Sequence, residues 1–275
     1  MIQKIRFITF IDLIFLVMLG IAGSLGESGF STAIYYLAFI LPIFLGVSYI
    51  LTLREQGGES RIKARRELFC DFTVKGERAL LSLPIIFLGI GAVVLVSALT
   101  SAVMAYFGKE NASDLSEPFP LAILIHALVP AVLEELLFRF VPIKLLRDNP
   151  RAAILLSSLF FALAHANLFR IPYAAVAGAV LAYLYIFTGS ILPCILMHLL
   201  NNTLSLISIY SCGGRWLFFT IYAAALLSAA FIAVFRKRYI GAYPSDNSGA
   251  KCEIGYSPFV FAFVSLTFAI SALFA

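Results

Sequence analysis

Residues 119–141 read FPLAILIHALVPAVLEELLFRFV, and this stretch decides the fold. At about 1.5 Å per residue, roughly 20 residues cross a hydrocarbon core about 30 Å thick, so the run is long enough to span a bilayer. Yet it contains Glu134, Glu135 and Arg139 within its second half. An ionised side chain near the centre of such a helix costs on the order of 2.5–3.5 kcal/mol on insertion scales. Three so close together point to an interior site rather than to a lipid-facing surface. A structural ion pair between Glu135 and Arg139, four residues apart on one helical face, would neutralise two of the charges and leave Glu134 without a task.

Outward from that stretch, the whole chain has the same character. Of its 275 residues 61% are hydrophobic and 13% charged, with mean hydropathy +0.98. Soluble domains carry about 25% charged residues, so the reading is an all-α, polytopic transmembrane bundle. Apolar runs at 7–25, 30–53, 80–107, 119–141, 152–169, 172–188, 191–211, 216–235 and 258–275 imply about eight to nine spans. They form one integral membrane domain over residues 1–275 around a polar intramembrane cavity. Pro84 near the start of the third run allows a kink there. Lys4 and Arg6 before an apolar run and Ala22-Gly23-Ser24 mimic a cleavable signal; the first run is read as a retained span.

The net charge of +5 reflects orientation rather than nucleic-acid binding, because the cations cluster in alternate loops. Arg54, Arg61, Lys63, Arg65, Arg66, Lys75 and Arg78 lie in 54–79; Lys144, Arg147 and Arg151 follow the fourth run, and Arg236, Lys237 and Arg238 the eighth. The link 24–31 has none, and 108–118 sets Lys109 against Glu110, Asp114 and Glu117. The positive-inside rule then puts the N-terminus in the cytoplasm of a cell whose plasma membrane the chain spans. Segment 54–79 reads as a surface helix on anionic lipid or as a charged linker. The four cysteines, Cys70, Cys194, Cys212 and Cys252, form no close pair and indicate neither a disulfide framework nor a cysteine metal site.

All three histidines fall in the expected spans. His126 precedes Glu134 by about two turns; an interhelical hydrogen bond accounts for it. His165 follows in FFALAHAN, and His198 and Asn202 stand one turn apart in HLLNN. A carboxylate and an imidazole together can take a proton from water. An amide and a second imidazole can donate to the oxyanion formed when that water attacks a carbonyl, while Arg139 holds a carboxylate ionised. These are the parts of peptide-bond hydrolysis without a covalent intermediate.

Three spaced motifs then occur in order on separate spans: EExxxR at Glu134, Glu135 and Arg139, FxxxH at Phe161 and His165, and HxxxN at His198 and Asn202, preceded by TGSILP. Over residues 119–211 the chain resembles the CPBP intramembrane proteases related to type II CAAX-prenyl endopeptidases. The resemblance implies a helical bundle around a conical cavity open to cytoplasm and membrane. It implies Glu134 and His165 as the water-activating pair, His198 and Asn202 as the oxyanion hole, and Arg139 orienting the acidic pair. Helical geometry, independently, turns adjacent Glu134 and Glu135 about 100° apart and favours Glu135 as the partner of Arg139. The expected substrate is a membrane-associated peptide or protein, prenylated or not, with the lipid bilayer as partner and no nucleic acid.

No metal or other cofactor is expected; zinc held by Glu134, His165 and His198 is the alternative. A non-proteolytic scaffold or bacteriocin-immunity protein of the same fold is the main alternative function. Gly26-Glu27-Ser28-Gly29 matches the rhomboid GxSG but sits in a short link where a turn explains it. A haem site on His165 and His198, or a proton-coupled transporter, would each leave some of these polar residues unused. On these boundaries Glu134 and His165 lie at different depths, so the expected site requires the fourth span to extend toward Leu146, the fifth to shift, or a tilt.

Overall fold

The computed structural model describes residues 1–26, 28–73, 76–108, 115–210 and 214–240, with Pro258, Ala262 and Leu266 besides. Glu27, Lys75, Lys109, Glu110, Asp114, Cys212, Cys252 and most of the apolar run at 258–275 lie outside the described residues. Among the described residues every regular element is helical: α1 Ile2–Ser24, α2 Gly29–Gln56, α3 Arg61–Phe69, α4 Glu77–Tyr106, α5 Phe119–Leu145, α6 Pro150–Ala164, α7 Ile171–Thr188, α8 Leu192–Tyr210, α9 Arg215–Val234 and α10 Arg236–Ile240. Seven of these are long and apolar enough to cross a membrane, and α6 is a shorter apolar helix. The expected polytopic bundle is therefore present.

Local sequence sets the helix ends. Ser28 accepts from Ser31 N–H at 3.1 Å and starts α2, an ordinary cap for the serine of the GxSG match. Asn149 caps α6 through Ala152 N–H at 3.0 Å, with Pro150 in the first turn, where its missing N–H costs nothing. Gly189, at φ +67°, ends α7 in the left-handed conformation that a glycine adopts without strain. Helix α4 continues through Pro84.

Packing follows small residues. Helix α6 lies along α7, α4 along α7 and α9, and α1 along α2. A Cβ on Gly178 of α7 would come within 2.9 Å of the Ser158 Cα on α6, and one on Gly46 of α2 within 2.6 Å of Val141 on α5. In lipid there is no hydrophobic drive between helices, so close backbone approach through such residues supplies the contact.

Helix α5 is irregular where it matters. Pro130 and Pro142 interrupt its hydrogen-bond ladder, and the helix widens into π-type turns at Ile123–Leu128 and Leu136–Phe140, on either side of the two glutamates. Such turns relieve a missing donor and re-aim side chains. The Phe138 carbonyl, which Pro142 cannot reach with an N–H, accepts instead from Ser157 Oγ–H on α6 at 2.5 Å.

The cations of alternate loops converge on one end of the bundle. Lys4 pairs with Asp148 at 3.2 Å, Lys144 with Asp71 at 2.7 Å, and Arg238 with Glu77 at 2.6 Å, while Arg78 donates to the Phe187 carbonyl at 3.2 Å. Asp71 also takes the Tyr185 hydroxyl, and its carbonyl accepts from Ser190 Oγ and Ile191 N–H. At this end Arg54, hydrogen-bonded to Glu67 at 2.7 Å, holds that carboxyl below its ordinary range. Asp12 of α1 is fully buried, and among the described residues neither of its carboxylate oxygens has a hydrogen-bond partner.

Candidate active site

The site is built where α5, α6 and α8 meet. His165 does not lie within its span as the apolar run suggests: α6 ends at Ala164 and His165 caps it, followed by a turn in which Ala166 has φ 45°. With 15 residues, α6 rises about 22 Å, short of a hydrocarbon core about 30 Å thick. Glu134 lies roughly 16 Å from the Leu145 end of α5, measured along the helix at about 1.5 Å per residue. Helix α5 also extends past the apolar run to Leu145. That extension sets Glu134 deeper than the apolar run suggests and narrows its difference in depth from His165.

Glu135 and Arg139 are fully buried and form the expected pair, Arg139 NH1 to Glu135 Oε1 at 3.2 Å. The guanidinium carbon lies 3.8 Å from the Phe161 ring centroid, a cation–π contact across to α6. The guanidinium nitrogens make no directed hydrogen bond among the described residues, so the charge is balanced by the carboxylate and the ring face. The same Glu135 oxygen lies 2.7 Å from His198 Nδ1 on α8. Glu135 is thus more than a partner for Arg139: an ionised carboxylate only accepts, so Nδ1 carries the hydrogen.

His165 is fixed similarly. Its Nδ1 is 2.8 Å from the Phe161 carbonyl, which can only accept. Nδ1 therefore donates, and the neutral ring keeps its lone pair on Nε2. Phe161 holds both imidazoles edge-on, at 4.9 Å from His165 and 5.7 Å from His198, while its face carries Arg139. Glu134, diverging from Glu135 around the helix, keeps 19% side-chain exposure and sets Oε2 3.7 Å from His198 Nε2. That is too long for a hydrogen bond, so the two groups flank one point. Asn202, one turn beyond His198, is half-buried.

Two residues escaped the sequence reading. Tyr35 of α2 and Tyr173 of α7 lie within electrostatic reach of Glu134, as His165 does. Among 12 tyrosines no spacing distinguishes them; only tertiary packing brings them here. His126, by contrast, stands apart from the cluster, its Nε2 3.9 Å from Glu117 Oε1, beyond hydrogen-bond distance. Among the described residues no three His, Cys, Asp or Glu side chains converge as metal ligands do.

Residues 116–204 hold every member of the EExxxR, FxxxH and HxxxN motifs and match the family described as type II CAAX prenyl endopeptidase Rce1-like. No curated protein and no solved structure matches the chain. The stretch that builds the polar cluster is similar to the Rce1-like CAAX prenyl endopeptidases, the relationship that its three spaced motifs imply.

Proposed function

We propose that this protein is an intramembrane endopeptidase that hydrolyses a membrane-associated peptide with water activated by Glu134 and His165. The observation that carries this reading is the Nδ1 contact of His165 to the Phe161 carbonyl, which leaves the lone pair of the neutral ring on Nε2. The family match supports CAAX-type protease chemistry. Water between Glu134 and His165 gives one proton to Glu134 while its oxygen attacks the substrate carbonyl carbon. The carbonyl electron pair moves onto oxygen, and Asn202 and His198 Nε2–H donate to it. Collapse of the intermediate breaks the C–N bond, the Glu134 proton passes to the leaving nitrogen, and the remaining hydroxyl proton leaves through His165.

Donation from His198 Nε2 requires the doubly protonated ring, since Nδ1–H already faces Glu135. The mechanism proposed is metal-free, and the N-terminal and basic end is assigned to the cytoplasmic face of the plasma membrane.

The test uses purified protein in liposomes with farnesylated and unmodified CAAX peptides. Wild type should release the terminal tripeptide from at least one, whereas Glu134→Gln and His165→Ala should bind but not cleave. Asn202→Ala should be slower by roughly 10²–10³-fold, as expected for one lost oxyanion donor. Undiminished turnover by Glu134→Gln would refute the assignment. Binding without cleavage by the wild type would favour the scaffold or immunity reading.

A further inference from the structure

Helix α3 has two distinct faces. Ala64 and Leu68 are buried against the bundle. At about 100° per residue, Ile62, Arg65, Arg66 and Phe69 share a sector roughly 100° wide on another side. All of these are exposed, Ile62 by 83% and Phe69 by 67%. The flanking charges are occupied: Arg54 and Lys63 pair with Glu67, and Arg61 with Glu55. Arg65 and Arg66 form no ion pair among the described residues.

Two large apolar side chains flank two exposed cations on this face, at the membrane end where the basic loops gather. Helix α2 fixes its height. With 28 residues, α2 rises about 42 Å, more than the hydrocarbon thickness, so its last turn emerges among the headgroups. Helix α3 begins a few residues later, and Phe72, just beyond it, is also exposed. Apolar side chains at that depth reach the acyl boundary while neighbouring arginines remain at phosphate level.

We propose that α3 is a binding helix for acidic phospholipid headgroups, with Ile62 and Phe69 inserted at the acyl boundary and Arg65 and Arg66 on the phosphates. The occupant is the anionic leaflet rather than a protein, because the exposed cations and apolar anchors match its charge and its depth. Asp71, at the end of this segment, ties it to Lys144 on α5 and to Tyr185 on α7. Lipid docking therefore fixes the linker that holds the basic end of the bundle. The inference does not depend on the proteolytic reading.

The chain has one tryptophan, Trp216, which makes a clean reporter available. The full-length Trp216→Phe/Phe69→Trp protein is reconstituted in phosphatidylcholine with or without phosphatidylglycerol, each containing acyl-brominated lipid. Indole quenching should increase when phosphatidylglycerol is present and fall back with Arg65→Gln/Arg66→Gln or high salt. At about fivefold per arginine, the docked-to-free ratio should drop roughly 30-fold in the double variant. Lys63→Gln, which removes a cation already paired, should change quenching much less. Equal quenching in both lipids, or quenching that survives loss of both arginines, would overturn the headgroup assignment. An unquenched, water-exposed indole in both lipids would make α3 a plain charged linker.

Discussion

His198 presents Nδ1 to Glu135 Oε1 at 2.7 Å, so the carboxylate that balances Arg139 on α5 also fixes the imidazole on α8. The two adjacent glutamates thus have separable tasks. Removing one partner of a buried ion pair commonly costs about 3–5 kcal/mol, because the survivor is left uncompensated. Glu135→Ala and Arg139→Ala should each lower the melting temperature in detergent as well as activity. Their double variant should be less destabilised than the sum of the singles, since both act on one contact. Glu134→Gln should leave melting nearly unchanged while abolishing cleavage. Thermal melts of the four variants, read beside peptidase activity, check this; control of stability by Glu134 and of turnover alone by Glu135 would reverse the assignments.

Ser157 supports the site from α6 by donating to the Phe138 carbonyl beside Pro142. Ser157→Ala removes the hydroxyl and leaves a buried acceptor short of its donor, at a cost of about 1–3 kcal/mol. Ser157→Thr, which keeps the hydroxyl, should recover part of the loss if the extra methyl fits. Melting temperatures in a single detergent decide the matter, and an unchanged value for the alanine variant would mean that the π-type turn satisfies Phe138 by itself.

Asp12 predicts the opposite sign. Its carboxyl is fully buried without a hydrogen bond among the described residues, and burying such a group costs about 1–3 kcal/mol by mutational measures. Asp12→Leu should therefore raise stability by a similar amount without altering peptidase activity. Loss of activity in a well-folded Asp12→Leu protein would instead give this carboxyl a functional role.

Topology can be read from two exposed positions. Helix α3 with Arg65 and the Lys144 end of α5 should face the cytoplasm, and Ser116 the outside. In a chain with Cys70, Cys212 and Cys252 changed to serine, Ser116→Cys should react with an impermeant maleimide on intact cells, whereas Arg65→Cys should react only after lysis. The converse labelling pattern would invert the orientation.

Much of this architecture follows from local features of the chain. Apolar runs longer than the bilayer fix a helical bundle, because only internally hydrogen-bonded backbone is tolerated in lipid. The i,i+4 spacing of Glu135 and Arg139 fixes their pairing within α5. The divergence of Glu134 from Glu135 follows from helical pitch, and the family match covers the same stretch as the motifs. Each of these depends on residues near one another in sequence, or on the solvent the chain meets.

The remaining features depend on how helices end and pack. The run at 152–169 is read as holding His165 inside its span, yet α6 stops at Ala164 and puts His165 at a helix end. Phe161 joins Arg139 and both histidines only because α5, α6 and α8 cross at its ring. Tyr35 and Tyr173 come within electrostatic reach of Glu134 from helices that carry no motif. Glu135 and His198 lie 63 positions apart in the chain; hydropathy and spacing specify each helix, but the bond between these two side chains exists only through the rotation and height at which α8 packs against α5.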